Sequence, residues 1–192
     1  IMKLLTTREE RLIRMEPPPK PSKLQRLLLP LVGMIACVLI APGALSLLAY
    51  LFFGNRLKES GVTERLARTA RNAFIDTVTI LLGLCVGAST QAGTFLTVRS
   101  LAIFALGAVA FAVASAAGIL MAKAMNLFLK KKINPLIGSA GVSAVPDAAR
   151  VSQMVAQRED PENFVLMQAM GPNVAGVIGS AVAAGVLLSV IR

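Results

Sequence analysis

The sequence has no histidine and no tryptophan, and only one tyrosine and two cysteines among its 192 residues. Without histidine, the usual general base and the catalytic triads built on it cannot be assembled. Two cysteines without histidine give no recognisable zinc spacing. Cys37 and Cys85 both lie in apolar runs and read as small buried hydrophobes. Aromatics make up 5% of the chain, too few for an aromatic belt to mark membrane interfaces. Acidic residues are scarce as well, 10 against 20 Lys and Arg, for a net charge of +10. No secretory-signal pattern is present. The chain opens on Ile1 within a charged segment and reads as the C-terminal part of a longer protein.

What is abundant is apolar. Hydrophobic residues reach 55% and the mean hydropathy is +0.70, above the level of soluble domains. A charge of +10 in a soluble chain would point to nucleic acid. Here the basic residues cluster in short loops between apolar runs, as membrane orientation requires. The expectation is therefore an all-α polytopic membrane protein that has lipid, and no nucleic acid, as its surroundings.

Residues 1–26 hold seven Lys/Arg, three Glu and the prolines Pro17-Pro18-Pro19 and Pro21. They read as a basic, Pro-rich cytoplasmic linker, because the proline run forbids a continuous helix. The membrane domain is then 27–192. Its first piece, 27–53, is split by Ala41-Pro42-Gly43 into halves too short to span, so it is a kinked crossing or a hairpin. Basic flanks on both sides favour the hairpin.

Within 62–88, Val62–Phe74 has amphipathic spacing suited to an interface, and an apolar spanning stretch follows. Asp76 sits at its edge near Arg71 and reads as structural or interfacial. The clearest spanning helix is 99–124: charge-free from Leu101 to Ala122, with small residues at four-residue spacing for close packing in lipid. Lys130-Lys131-Lys132 puts its C-terminal end in the cytoplasm. The last piece, 163–191, is an apolar run expected to break at Gly171-Pro172-Asn173. Counting crossings from a cytoplasmic start leaves the C-terminus outside.

Between the two long spans lies 133–157, read as a re-entrant polar element. Its NPLIGSAGVSAVPDAAR stretch, Asn134–Arg150, combines prolines, glycines and polar side chains among strongly apolar neighbours. Irregular backbone at membrane depth is tolerated only where it is buried in protein or lines a cavity. Unwound carbonyls and half-helix ends at such breaks are how transporters coordinate ions. Asn134, Ser139 and Ser143 in this break, with Asn173 in the next, supply amide and hydroxyl oxygens. Gly138 and Gly141 permit tight backbone turns, and Pro135, Pro146 and Pro172 leave carbonyls without helical donors. Arg150, one turn into the short helix after Pro146, can hold a carboxylate or act as a tethered cation displaced by an arriving ion; an interfacial Arg reaching to headgroups is the plainer alternative.

The segments GNRLKESGVTERL, NPLIGSAGVSAVPDAARVSQ, REDPENF and MGPNVAGVIGSAVAAGVLL closely resemble the beta subunit of the sodium-pumping, biotin-dependent decarboxylases of oxaloacetate, methylmalonyl-CoA and glutaconyl-CoA. That resemblance implies the second half of an inverted-repeat, transporter-like fold in a bacterial or archaeal cytoplasmic membrane. It implies a translocase that decarboxylates carboxybiotin, consumes a proton and exports sodium ions. The implied partners are a biotin-carrying carboxyltransferase alpha subunit, a small membrane gamma or delta subunit, and the missing N-terminal half of the beta subunit. The implied sodium or coupling residues are Asn134, Gly138, Ser143 and Asn173, with a functional, catalytic role for Arg150. The family's intramembrane aspartate and tyrosine have no counterpart here: the one tyrosine is Tyr50, and neither Asp76 nor Asp147 sits in the matching motif. The fragment alone is therefore expected to be inactive. The competing expectation is a secondary sodium/proton antiporter or symporter with the same broken-helix architecture; a purely structural partner would have no reason to carry the polar breaks.

Overall fold

The structure is a computed structural model that describes residues 1–17, 19 and 21–191; Pro18 of the proline run, Lys20 and the terminal Arg192 lie outside the described residues. In chain order the helices are α1 (Met2–Leu5), α2 (Arg8–Arg11), α3 (Lys23–Ile40), α4 (Leu45–Glu59), α5 (Glu64–Thr69), α6 (Ile75–Ser89), α7 (Ala92–Phe95), α8 (Val98–Phe128), α9 (Asp147–Glu159) and α10 (Leu166–Ile191). A 3-10 turn covers Pro42–Ala44, a π turn covers Ala70–Phe74, and a second 3-10 segment covers Pro135–Ala140. No strand occurs among the described residues. Among the described residues four helices are long and apolar enough to cross a membrane: Lys23–Ile40, the continuous Glu64–Ser89, Val98–Phe128 and Leu166–Ile191. With this composition, the chain is a multi-pass membrane protein.

The chain divides into two compact units, residues 1–20 with 107–184 and residues 21–106 with 185–192. In the second, Ser22 starts α3 through a capping box with Gln25, each side chain bonding the other's backbone N–H. Pro42 ends that helix and opens the short 3-10 turn. The chain then folds back, because Arg26 near the start of α3 meets the end of α4: its guanidinium lies 3.4 Å from Glu59 and its carbonyl accepts from the Asn55 amide at 3.1 Å. At the bend Ala41, Ala44 and Leu48 are buried. Gly43 and Gly185 approach so closely that a Cβ on Gly43 would sit 2.8 Å from the Gly185 carbonyl. Helix α4 ends at Glu59, and just beyond it Gly61 takes a φ of +75°, open to glycine at little cost.

The first unit holds the core. Leu136, Ile137 and Ala140 of the 3-10 segment pack with Ala149 and Ala156 of α9 and with Val165 and Ala169 at the start of α10. Helix α9 has buried Ala149, Ser152, Gln153 and Ala156, the i, i+3, i+4, i+7 face of an amphipathic helix. Met2 and Met15 cover the same core from the N-terminal segment. Residues 1–17, whose prolines and charge suggested a linker, thus carry α1, α2 and a packed extension. Thr7 starts α2 with a capping box to Glu10, so a short helix precedes the prolines that forbid one later.

Helix α10 departs from expectation. It stays helical through Gly171-Pro172-Asn173, so the second break is a proline within a helix. Pro172 removes one donor and leaves the Gln168 carbonyl without its helical partner. Pro172 lines the open cleft described below. One missing bond in a 26-residue helix does not divide it. Helix α8 is also longer than 99–124, because its apolar pattern gives way only at Phe128.

Candidate ion site

Asn173 organises the polar centre of the first unit. Its side chain is 0% exposed. Its Nδ2 donates to the carbonyls of Ala140 (2.9 Å), Val142 (2.7 Å) and Ala144 (3.2 Å), three alternate residues of the irregular loop after the 3-10 segment. An amide has two N–H groups, so these three acceptors share them. Its Oδ1 is buried without a hydrogen-bond donor among the described residues. A buried acceptor left unpaired costs about 1–3 kcal/mol. The Asn163 Oδ1 and Gln168 Oε1 atoms are buried without a donor as well.

Glycines bring the loop and the helices together. A Cβ on Gly138 would collide with the Gly118 carbonyl of α8, and one on Gly118 would collide with the Gly138 carbonyl. On the other side a Cβ on Gly176 would lie 2.7 Å from the Gly141 carbonyl. The loop is thus pinched between α8 and α10, with no room for a single methyl. An open cleft of about 680 Å³ runs along this seam, lined by Gly118, Gly138, Gly141, Pro172, Gly176 and Ser180 among others. A neighbouring cleft of about 250 Å³ takes in Ser143, Gly141 and Ser180. The residues lining both clefts carry no carboxylate. The polar groups of these linings are neutral.

The residues singled out from sequence fall in different places. Asn173, Gly138 and Ser143 belong to the seam, Gly138 as a close-approach position whose carbonyl accepts from Gly141 N–H. Asn134 faces away from it. Its Oδ1 caps the 3-10 segment by accepting from Leu136 N–H at 3.1 Å, with Pro135 at the first position. Its Nδ2 donates to the carbonyls of Arg11 (2.9 Å) and Ile13 (3.0 Å) in the N-terminal segment. Both ends of this amide are occupied by protein, so Asn134 supports the seam from behind and does not line it. Ser139 is also used internally: its Oγ donates to the Leu136 carbonyl and lies 2.9 Å from the Ser152 Oγ. Arg150 is on the exposed face of α9, its side chain 65% exposed and 3.5 Å from Asp147 one turn earlier. It is not gathered with the buried amides.

Three groups escaped the sequence reasoning. Gln153 accepts from the Val165 and Leu166 N–H groups (2.7 and 2.8 Å) and donates to the Asn163 carbonyl, tying α9 to the start of α10. Asn163, 1% exposed, donates to the same two carbonyls as Asn134, Arg11 at 2.9 Å and Ile13 at 3.3 Å. Residues 7–16 themselves are the third. The available signals were a polar pair, Ser152-Gln153, on the apolar face of α9, and an Asn just before an apolar run, where helix-capping residues concentrate.

Outside the membrane-spanning helices this assembly is held by charge. Arg14 donates to Asp160 at 2.8 Å and holds its carboxyl below the usual carboxylate range, helped by the Glu162 backbone N–H. Burial pushes the Glu10 carboxyl up, but the Thr7 backbone N–H and Lys123, 3.0 Å away, outweigh it and leave it below the ordinary value. Arg11, with its side chain 11% exposed, reaches Glu159 at 3.1 Å. Lys131 meets Glu16 at 2.9 Å.

Comparison with known proteins matches residues 1–191 to the family described as the Na+-transporting oxaloacetate decarboxylase beta subunit. The oxaloacetate decarboxylase beta chain of Klebsiella pneumoniae is 57% identical over 188 residues, 98% of this chain and 43% of that protein. The methylmalonyl-CoA decarboxylase beta subunit of Propionigenium modestum is 55% identical over 189 residues, 98% of this chain and 48% of that one. Its counterpart in Veillonella parvula is 50% identical over 191 residues, 100% of this chain and 51% of that one. The chain spans about half the length of these relatives.

Proposed function

The chain belongs to the family of Na+-transporting oxaloacetate decarboxylase beta subunits, and we propose that it supplies half of the sodium path in a bacterial inner-membrane pump driven by decarboxylation of carboxybiotin. In that reaction the bond between the ureido nitrogen and the carboxylate carbon of carboxybiotin breaks, carbon dioxide leaves, and the nitrogen takes up a proton. A biotin-bearing carboxyltransferase subunit presents the substrate, and a small membrane subunit completes the complex. The remainder of the beta subunit contributes the acid that this half lacks.

The observation that carries the proposal is Asn173. A fully buried amide oxygen without a donor, on an amide whose nitrogen holds the Ala140, Val142 and Ala144 carbonyls, supplies a neutral ligand of a sodium shell. Ser143, on the neighbouring cleft, adds a hydroxyl. Gly138 contributes by letting the loop lie against α8. Asn134 supports the loop by capping its start. Arg150, exposed on α9, is free to receive the carboxylate of an arriving carboxybiotin as a paired, planar donor.

Sodium uptake into vesicles that contain the intact complex tests this. Uptake is expected only when carboxybiotin, or the free acid that generates it, is supplied, and Asn173→Ala is expected to abolish it. Uptake driven equally well by a proton gradient alone overturns the proposal in favour of an antiporter.

A further inference from the structure

Residues 7–16 cross four chain segments of the first unit without joining any helix of its core. Glu10 is tied to Lys123 near the end of α8 (3.0 Å), Arg11 to Glu159 at the end of α9 (3.1 Å), and Arg14 to Asp160 (2.8 Å). Glu16 is tied to Lys131 (2.9 Å), and its carbonyl accepts from Gln168 of α10 (3.0 Å). At the centre of this strap, Asn134 and Asn163 converge on the same two carbonyls, those of Arg11 and Ile13.

The position of these two asparagines matters more than the bonds themselves. Asn134 starts the 3-10 segment that ends at Ala140, whose carbonyl is one of the three around Asn173. Asn163 stands just before α10, which carries Asn173, and Gln153 binds the Asn163 carbonyl to the first N–H groups of that helix. The two elements that meet at Asn173 are thus referred at their starts to one pair of carbonyls. Two alternate peptide groups act as a gauge that sets how far one start stands from the other.

We propose that Asn163 is a positioning residue: with Asn134 it clamps the Arg11–Ile13 strap, and the docked strap holds the Ala140–Ala144 carbonyls and Asn173 at the separation the ion site requires. The inference rests on the sodium function proposed above. Loss of the clamp lets the loop and α10 drift by fractions of an ångström, which weakens ion capture more than it slows the turnover that follows.

The test uses the intact membrane complex carrying Asn163→Ala, Arg14→Glu, or the charge swap Arg14→Glu with Asp160→Arg. Half-saturating sodium and maximal rate are measured separately, and hydrogen exchange across residues 7–16 reports whether the strap is docked. Asn163→Ala and Arg14→Glu are each expected to raise half-saturating sodium tenfold or more, with the maximal rate within threefold of wild type and faster exchange in the strap. The swap is expected to return both readouts to within threefold. Arg14 is exposed, so its variants keep the test independent of any folding defect in Asn163→Ala. Faster strap exchange with unchanged half-saturation overturns the inference, as does a swap no better than Arg14→Glu alone. A wild-type complex that ignores sodium overturns the sodium function and, with it, this inference.

Discussion

The Asn173 side-chain nitrogen lies 2.7 Å from the Val142 carbonyl, and that bond joins the irregular loop after the 3-10 segment to a helix that begins more than twenty residues later. Replacing Asn173 with Ala leaves the buried Ala140 and Val142 carbonyls and the part-buried Ala144 carbonyl without their donor. The expected cost is about 1–3 kcal/mol, read as a lower unfolding midpoint of the purified protein in detergent. Asn173→Asp is expected to be worse at neutral pH, because a carboxylate cannot donate to those carbonyls and is repelled by them.

Gly138 and Gly118 meet backbone to backbone. Gly138→Ala forces α8 and the loop apart and is expected to destabilise by about 1–3 kcal/mol or more. Gly83→Ala, at a position with open space around it, is the control. It is expected to be neutral or to stabilise by about 0.5–1 kcal/mol, since alanine suits a helix interior better. Equal losses at both positions would remove the close-approach explanation.

The Asp160 carboxyl is held below its ordinary range first by the bond from Arg14. A folded-state value below the unfolded one contributes stability at pH above the unfolded value, and that contribution is lost as pH falls through the folded one. Docking of residues 7–16 is therefore expected to persist through neutral and mildly acidic pH and to loosen only in strong acid. Arg14→Gln removes the main cause of that depression and is expected to loosen the strap already at neutral pH and to flatten its response to acid. Strap exchange measured across a pH series checks both the direction and the effect of the variant.

Arg150 presents an exposed side chain whose nearby partner is the equally exposed Asp147. Arg150→Gln is expected to change stability by less than about 0.5 kcal/mol. Under the proposed function it still abolishes carboxybiotin decarboxylation. Measuring unfolding and activity on the same preparation separates the two roles, and a large stability loss would reassign Arg150 to structure.

Much of the fold could be read from residue patterns. The apolar run from Leu101 to Ala122, the bend at Ala41-Pro42-Gly43 and the short helix after Pro146 all follow from local chemistry: side-chain polarity and the missing proline N–H act over one or two turns. The same rule misjudged Pro172, because one missing backbone bond is a local loss and the helix continues through it on the bonds of its other turns. It also did not reveal how residues 1–17 pack, within the stretch 1–26 that a proline run and a basic balance suggested as a linker. Their ties to Lys123, Glu159, Asp160 and Lys131 connect residues more than a hundred positions apart, which no periodicity encodes.

The candidate site divides along the same line. By itself the sequence determined that Asn134–Arg150 is a polar, proline- and glycine-bearing stretch among apolar helices, and its motifs carried the family resemblance that the comparison with known proteins bears out. The tertiary structure alone decided which of its polar groups have work left to do. It spent both ends of Asn134 on a cap and on the strap, paired Ser139 with Ser152, left Arg150 at the surface, and left one oxygen of Asn173 unpaired in the interior. The physical reason is that an amide's chemistry is a property of the residue, while its satisfaction depends on which distant carbonyls the folded chain brings within three ångströms of it.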